Sequence, residues 1–133
     1  PLYFATPSLP VPRAIAWILL NQTQLERADR LYDELFAQHE LVADDYLNAA
    51  YAKWFLRKMD AAIRLLVQWQ KHKLKPAGGA TPENGAQHDR PGKLRGMLMD
   101  AFKQDWSTLK ANGISKIELR LMADLAANAL LFS

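Results

Sequence analysis

Apolar positions recur along most of the chain at three- and four-residue steps, the period of a helix with one buried face. Ile15, Trp17, Ile18, Leu19 and Leu20 predict a first helix that is apolar nearly all round and hence buried on most faces. It is entered through Pro10 and Pro12, which a first turn tolerates, with Ser8 placed to cap it. Asn21 and Gln22 form a turn, and Leu25, Ala28, Leu31, Tyr32, Leu35 and Phe36 carry a second helix to Gln38. Asp44 or Asp45 starts a third, through Tyr46, Leu47, Ala49, Ala50, Tyr51, Trp54 and Phe55. A break at Arg57 and Lys58 leads to a fourth, through Met59, Ala62, Ile63, Leu66, Trp69 and Leu74. A fifth spans 93–112, with Leu94, Met97, Leu98, Ala101, Phe102, Trp106 and Leu109 inward. A sixth runs through Ile117, Leu121, Met122, Leu125, Ala129 and Leu130. No segment alternates as a strand does, so the expected class is all-α, built of helical hairpins.

The punctuation agrees with this division. Thr23 with Glu26, and Ser115 with Glu118, stand at capping-box spacing, in which each side chain satisfies the other's orphan backbone N–H. Gly113 is the expected C-terminal cap between the last two helices. Residues 1–8 read as a lead-in segment, and residues 77–92 as a flexible Gly/Pro-rich loop.

Sliding the chain against itself by 34 residues pairs Ala16 with Ala50 and Ala28 with Ala62. The same step pairs Trp17 with Tyr51, Leu20 with Trp54, Leu25 with Met59, Leu31 with Leu65, Tyr32 with Leu66 and Leu35 with Trp69. Small residues recur where two helices must approach closely, and large ones where a hairpin packs on its neighbour. This pattern resembles the tetratricopeptide repeat (TPR), with repeats at 9–42 and 43–76. Tyr46, Ala50, Ala62, Leu66 and Pro76 follow the family pattern in the second repeat; Ala16, Ala28 and Tyr32 follow it in the first. Pro12 replaces the early aromatic, and Thr23 and Arg57 stand where the family has glycine. Residues 93–133 read as a degenerate third hairpin or a cap. The resemblance implies a short right-handed superhelix of about six helices. It is similar to the C-terminal part of longer bacterial TPR-like proteins, and a chain that starts at Pro1 fits such an origin.

The family binds a peptide or partner protein along the first helices of its repeats. Carrying those positions over implies a partner-binding set of Arg13, Trp17 and Asn21 with Leu47, Asn48, Tyr51, Trp54 and Phe55; Leu20 and Asp44 fall on the same face. Asn48 matches an asparagine of the family's carboxylate clamp, but the clamp's full basic set is absent. Two readings stand for Trp17 and Tyr51: an aromatic wall of the groove, or packing on a neighbouring helix. Trp69 and Trp106 read as core, and Met97, Met99 and Met122 as gap-filling residues.

Composition narrows the chemistry. The 133 residues hold no cysteine, which excludes disulfides, thiolate metal sites and a thiol nucleophile. His39, His72 and His88 are far apart, and His88 beside Asp89 makes no catalytic set. No paired acid–base or Ser/His/Asp spacing is present, so neither enzymatic activity nor a cofactor or metal is expected. No apolar run reaches membrane-spanning length and no signal peptide is visible, so a cytoplasmic location without membrane contact is expected. The net charge is +3, unevenly spread: 26–45 is acidic, whereas 53–75 holds Lys53, Arg57, Lys58, Arg64, Lys71, Lys73 and Lys75 against Asp60. That stretch is either a solvated helix face or a nucleic-acid contact. The expected role is a scaffold or adaptor that binds another protein or peptide, with nucleic-acid binding through 53–75 as the alternative.

Overall fold

The computed structural model of the chain describes residues 10–39, 41–74 and 90–132. The segment 1–8, Lys75, Pro76 and the Gly/Pro-rich stretch as far as 89, with His88 and Asp89, lie outside the described residues. Within the described residues the chain is all-α: α1 (Pro10–Asn21), α2 (Leu25–Gln38), α3 (Ala43–Phe55), α4 (Met59–Leu74), α5 (Arg90–Gln104), α6 (Trp106–Ala111) and α7 (Lys116–Leu131).

The first four helices form two hairpins, α1 with α2 and α3 with α4, and α2 packs on α3. Their turns are the same backbone structure repeated. Thr23 and Arg57 both take a positive φ, 58° and 65°. In the first turn the N–H of Thr23 bonds to Leu20 O and that of Gln24 to Leu19 O. In the second, Arg57 bonds to Trp54 O and Lys58 to Lys53 O. This left-handed cap satisfies the last carbonyls of one helix while reversing the chain into the next. Ala16, Ala28, Ala50 and Ala62 are all fully buried, so the paired alanines let the helices approach closely. Leu20, Tyr32, Trp54 and Leu66 fill the space around them and are closed to solvent.

Three local expectations change. Thr23 occupies the left-handed turn position, so it cannot cap α2; its Oγ1 donates to Gln22 O, and the N-cap Gln24 makes no side-chain cap bond. Ser115 does cap α7, accepting from the Glu118 N–H at 3.1 Å, but the Glu118 carboxylate turns to Trp54 and Arg57 instead of closing a box. The expected helix 93–112 begins earlier, at Arg90, and is broken at Asp105, which takes φ −101°, ψ 13° and separates α5 from α6. Pro91 and Gly92, expected in the loop, form part of the first turn of α5, where proline's missing N–H costs nothing.

The third hairpin shares the turn but not the placement. Gly113 (φ 85°) closes it, with its N–H on Lys110 O and that of Ile114 on Leu109 O. Beyond it α7 packs on both α4 and α5, while α6 reaches α1. α1 itself is less enclosed than its composition suggests. Val11, Ile15 and Ile18 are exposed; among the described residues α1 makes its main contacts with α2, α3 and α6.

Candidate functional site

The faces of α1 and α3 that the sequence assigns to a groove are divided by the C-terminal helices. Tyr51 and Trp54 are buried, at 0% and 1% exposure, and Leu47 nearly so. For Tyr51 this is the packing reading and not the open aromatic wall, and the cause is visible. The Tyr51 ring lies against Phe102, 6.0 Å between centroids, and its hydroxyl donates to the Asp105 carboxylate at 2.7 Å. The Trp54 indole N–H donates to Glu118 of α7. Phe55 is half-buried and stacked on Tyr51 at 6.3 Å. Of the eight predicted residues, Tyr51 and Trp54 therefore pack on the C-terminal part of the chain, and Phe55 packs on Tyr51.

Two more are tied by polar bonds. The Arg13 guanidinium holds both oxygens of the buried Asp45 at 2.7 Å, and the same carboxylate accepts from the Val42 N–H at 3.1 Å. Here the acid–base pair fixes α1 to α3. Asn21 donates to Trp17 O at 2.8 Å and accepts from the Thr108 hydroxyl, which anchors α6 to the end of α1.

The remaining three, Trp17, Leu47 and Asn48, come together on one cleft of about 360 Å³. Its other walls are Asp44 of α3, Trp69 and Lys73 of α4, and Met97, Asp100, Ala101, Gln104 and Asp105 at the C-terminal end of α5. Apolar surface from Trp17, Leu47 and Met97 thus meets three carboxylates, two amides and one ammonium. The Lys73 ammonium lies 5.9 Å from the Trp69 ring centre. Trp69 is 2% exposed and its indole N–H has no acceptor. Asn48 sits beside the Tyr32 hydroxyl; burial, with Asp45 adding to it, pushes that hydroxyl far up and keeps it protonated. Tyr51 is likewise held protonated by burial, and the Asp105 charge reinforces this. Asp105 is itself raised, by burial first and then by the neighbouring Asp44 charge, against the opposing hydrogen bond from Tyr51.

Sequence reasoning placed Trp17, Asp44, Leu47 and Asn48 on a common face but missed Asp100, Gln104 and Asp105. Asp100 and Gln104 are one helical turn apart, which puts them on one side of α5. That spacing does not say which other helix the side meets.

The basic stretch 53–75 is partly consumed inside the fold. Lys53 lies 2.8 Å from Asp29 and 3.0 Å from Asp33; Lys58 lies 2.7 Å from Asp29, and Arg57 3.1 Å from Glu118. Burial pulls Lys53 down, but its bonds to Asp29 and Asp33 outweigh this and raise it. Two acids of the acidic run, Asp29 and Asp33, are thus the partners of Lys53 and Lys58 of the basic run. Among the described residues no group of His, Asp and Glu side chains could hold a metal ion, and no helix is long and apolar enough to cross a membrane. No family model matches the chain, and neither a curated protein nor a solved structure matches it significantly.

Proposed function

We propose that the chain is a protein-interaction module of TPR-like helical hairpins, which binds a peptide or partner segment in the cleft between α1, α3, α4 and α5. The observation that carries the reading is the cleft's composition. Trp17 and Leu47 offer apolar contact, while Asn48 and Gln104 offer amides that can pair with a peptide backbone through donor and acceptor alike. The repeat reading is supported by the two left-handed turns 34 residues apart, with the same backbone bonds, and by the buried alanine pairs. The third hairpin departs from a simple continuation of the stack, since α7 packs on α4 and α5 turns into α6 across the inner faces. On this reading the departure narrows a long groove to a short cleft, suited to a few residues of extended chain. Nucleic-acid binding is less favoured, because Lys53, Arg57 and Lys58 are already paired with carboxylates.

The test is selection of binders from random twelve-residue peptides, followed by NMR mapping of a selected peptide on the labelled protein. Shifts concentrated on Trp17, Asn48 and Gln104, with binding abolished by Trp17→Ala, are the expected result. Shifts confined to the outer faces of α2 and α4, or no selected binder, would sink the reading.

A further inference from the structure

The C-terminal part of the chain holds another concave place, which shares no wall residue with the cleft. A pocket of about 320 Å³ opens between Met99 and Lys103 of α5, Trp106 of α6, and Lys116, Leu119 and Arg120 of α7. Met99 and Lys103 lie one helical turn apart, as do Lys116 and Arg120, so each pair shares a face of its helix. The break at Asp105 makes Trp106 the first residue of α6 and sets it in the wall. Leu119 is buried, Met99 and Trp106 are half-buried, and the three basic side chains are exposed. The pocket therefore has an apolar floor and a cationic rim.

Among the described residues none of these three cations has a carboxylate within ion-pair distance. The acids of this part of the chain are engaged elsewhere. Asp105 accepts from Tyr51, Glu118 takes Trp54 and Arg57, Asp124 takes Arg95, and Asp100 lines the cleft. The placement on α7 also runs against local stability. Lys116 is the first residue of α7, where the helix dipole disfavours a cation. Arg120 repeats the charge one turn on, the spacing at which like charges repel along a helix. Charges that break local rules are expected where something outside the element compensates them. An anion at the mouth of this pocket is such a compensation. The floor decides what carries it. Met99 and Leu119 offer the edge of a nucleotide base no strong hydrogen-bonding partner, but they suit an apolar side chain. A recess of this size takes one large side chain, whereas a lipid surface is met by residues that protrude.

We propose that this pocket docks an acidic peptide segment of a partner protein, which seats one large apolar side chain on Met99, Trp106 and Leu119 while its carboxylates meet Lys103, Lys116 and Arg120. The site stands apart from the cleft and does not depend on the cleft's binding a peptide. Arg120 is suited to take a carboxylate through two parallel hydrogen bonds, and the lysines act as point charges beside it. The apolar anchor supplies the desolvated centre of the contact, and the exposed cations supply a salt-sensitive rim.

The probe is a library of random twelve-residue peptides displayed on phage, panned in parallel on the native chain and on Lys116→Gln/Arg120→Gln. Both substituted side chains are exposed and unpaired, so the double variant is expected to melt at or above the native temperature, and circular dichroism checks that it does. Binders lost on the double variant should carry Asp or Glu beside a large apolar residue. Exchanging those acids for Asn or Gln should cost at least tenfold in calorimetric titration. The same peptides should shift the Trp106 indole N–H in NMR of the labelled native chain and should bind Trp17→Ala unchanged, which separates this pocket from the cleft. Acidic binders that leave Trp106 unmoved, or that are blocked by Trp17→Ala, would overturn the pocket. Binders seated at Trp106 that tolerate the double variant would overturn the charge assignment. Finding no peptide that distinguishes the two chains would overturn the proposal, whatever the cleft binds. Phosphatidylserine vesicles or a twelve-nucleotide single-stranded RNA, held tenfold more tightly than the selected peptides and released by the double variant, would overturn the peptide as occupant. A native dimer in sedimentation that the double variant abolishes would do the same. Should the double variant fail to fold, the exchange of the peptide's acids on the native chain, read at Trp106, decides alone.

Discussion

The α1–α2 and α3–α4 hairpins and the α6–α7 hairpin share a turn and differ in nearly everything else. Thr23, Arg57 and Gly113 all take positive φ, and each is followed by a residue whose N–H reaches back to the same helical carbonyl position. Yet only the first two hairpins place alanines at matching positions, and only they stack in sequence order through α2 and α3. The turn is a property of a few backbone atoms and survives changes in side chain. Placement depends on which faces are small and which are large, and α5–α7 have other faces. The C-terminal part is held by bonds made to the first part: Tyr51 to Asp105, Asn21 to Thr108, Trp54 to Glu118, and Gln70 to Ala126 O at 3.0 Å. The regular part of the molecule provides a scaffold, and the irregular part closes it and shapes the cleft.

The substitution that most strongly tests this division is Trp54→Ala. Trp54 belongs to the regular half by register and to the irregular half by its bond to Glu118. Removing so large a buried side chain costs about 3–5 kcal/mol. If the halves form one cooperative unit, the whole urea transition should move together, as seen by far-ultraviolet circular dichroism and by tryptophan fluorescence. Two separated transitions would show that α5–α7 unfold independently of the hairpins.

A smaller effect distinguishes the two ends of one bond. Asp105→Asn keeps an oxygen to accept from Tyr51 but removes the charge that burial and Asp44 disfavour. An acid whose pKa is raised on folding contributes stability below its unfolded pKa and loses it as pH rises through the folded value. The groups acting on it are Tyr51 and Asp44 of α3, while Asp100 of α5 and Lys73 of α4 line the same cleft. The native chain should therefore lose stability as pH rises from the ordinary carboxylate range through the raised value. The variant should lack this step and be the more stable of the two at neutral pH. Urea midpoints measured across that range decide it; parallel profiles would remove Asp105 as the responsible group.

How much could be read in advance follows the same line between the parts. The helices, the paired alanines and the break at Arg57 were legible, because periodicity and offset are local or one repeat apart; Thr23 was misplaced as a cap, because its spacing to Glu26 fits one. What decides between the two readings of Tyr51 was not legible. Its cover, Phe102 and Asp105, lies some fifty residues on in the chain, with the Gly/Pro-rich stretch between them. The exposure of Val11, Ile15 and Ile18 was hidden for the converse reason, since an apolar helix does not announce which side lacks a neighbour. Charge blocks misled in a specific way. The acids of α2 and the bases of α3 and α4 looked like opposed surface patches, whereas Asp29, Lys53 and Lys58 form a cluster between helices. Of the candidate site, Trp17, Leu47 and Asn48 were legible from the resemblance, and the acidic wall from α5 was not.

The smallest expected effect asks whether the shared turn is favourable in itself or is imposed by the packing on either side. A left-handed conformation costs a non-glycine residue about 1–2 kcal/mol, and β-branched threonine is poorly suited to it. Glycine removes that cost but loses about 0.5–1 kcal/mol through the freedom it adds to the unfolded chain. Thr23 is exposed and its hydroxyl bonds only to the adjacent Gln22 carbonyl, so little else is at stake. Thr23→Gly should therefore raise stability by about 0.5 kcal/mol. Arg57→Gly is a poorer probe, because Arg57 also contacts Glu118 at 3.1 Å across the two parts. The reciprocal change, Gly113→Ala, should lower stability by about 1 kcal/mol, since the site has room for a methyl group but the wrong φ. Opposite signs in urea midpoints would show that the turn carries the same strain in both parts of the molecule. A loss at both positions would mean that Thr23 makes its turn better than glycine can, and that the two turns, alike in backbone, differ in what holds them.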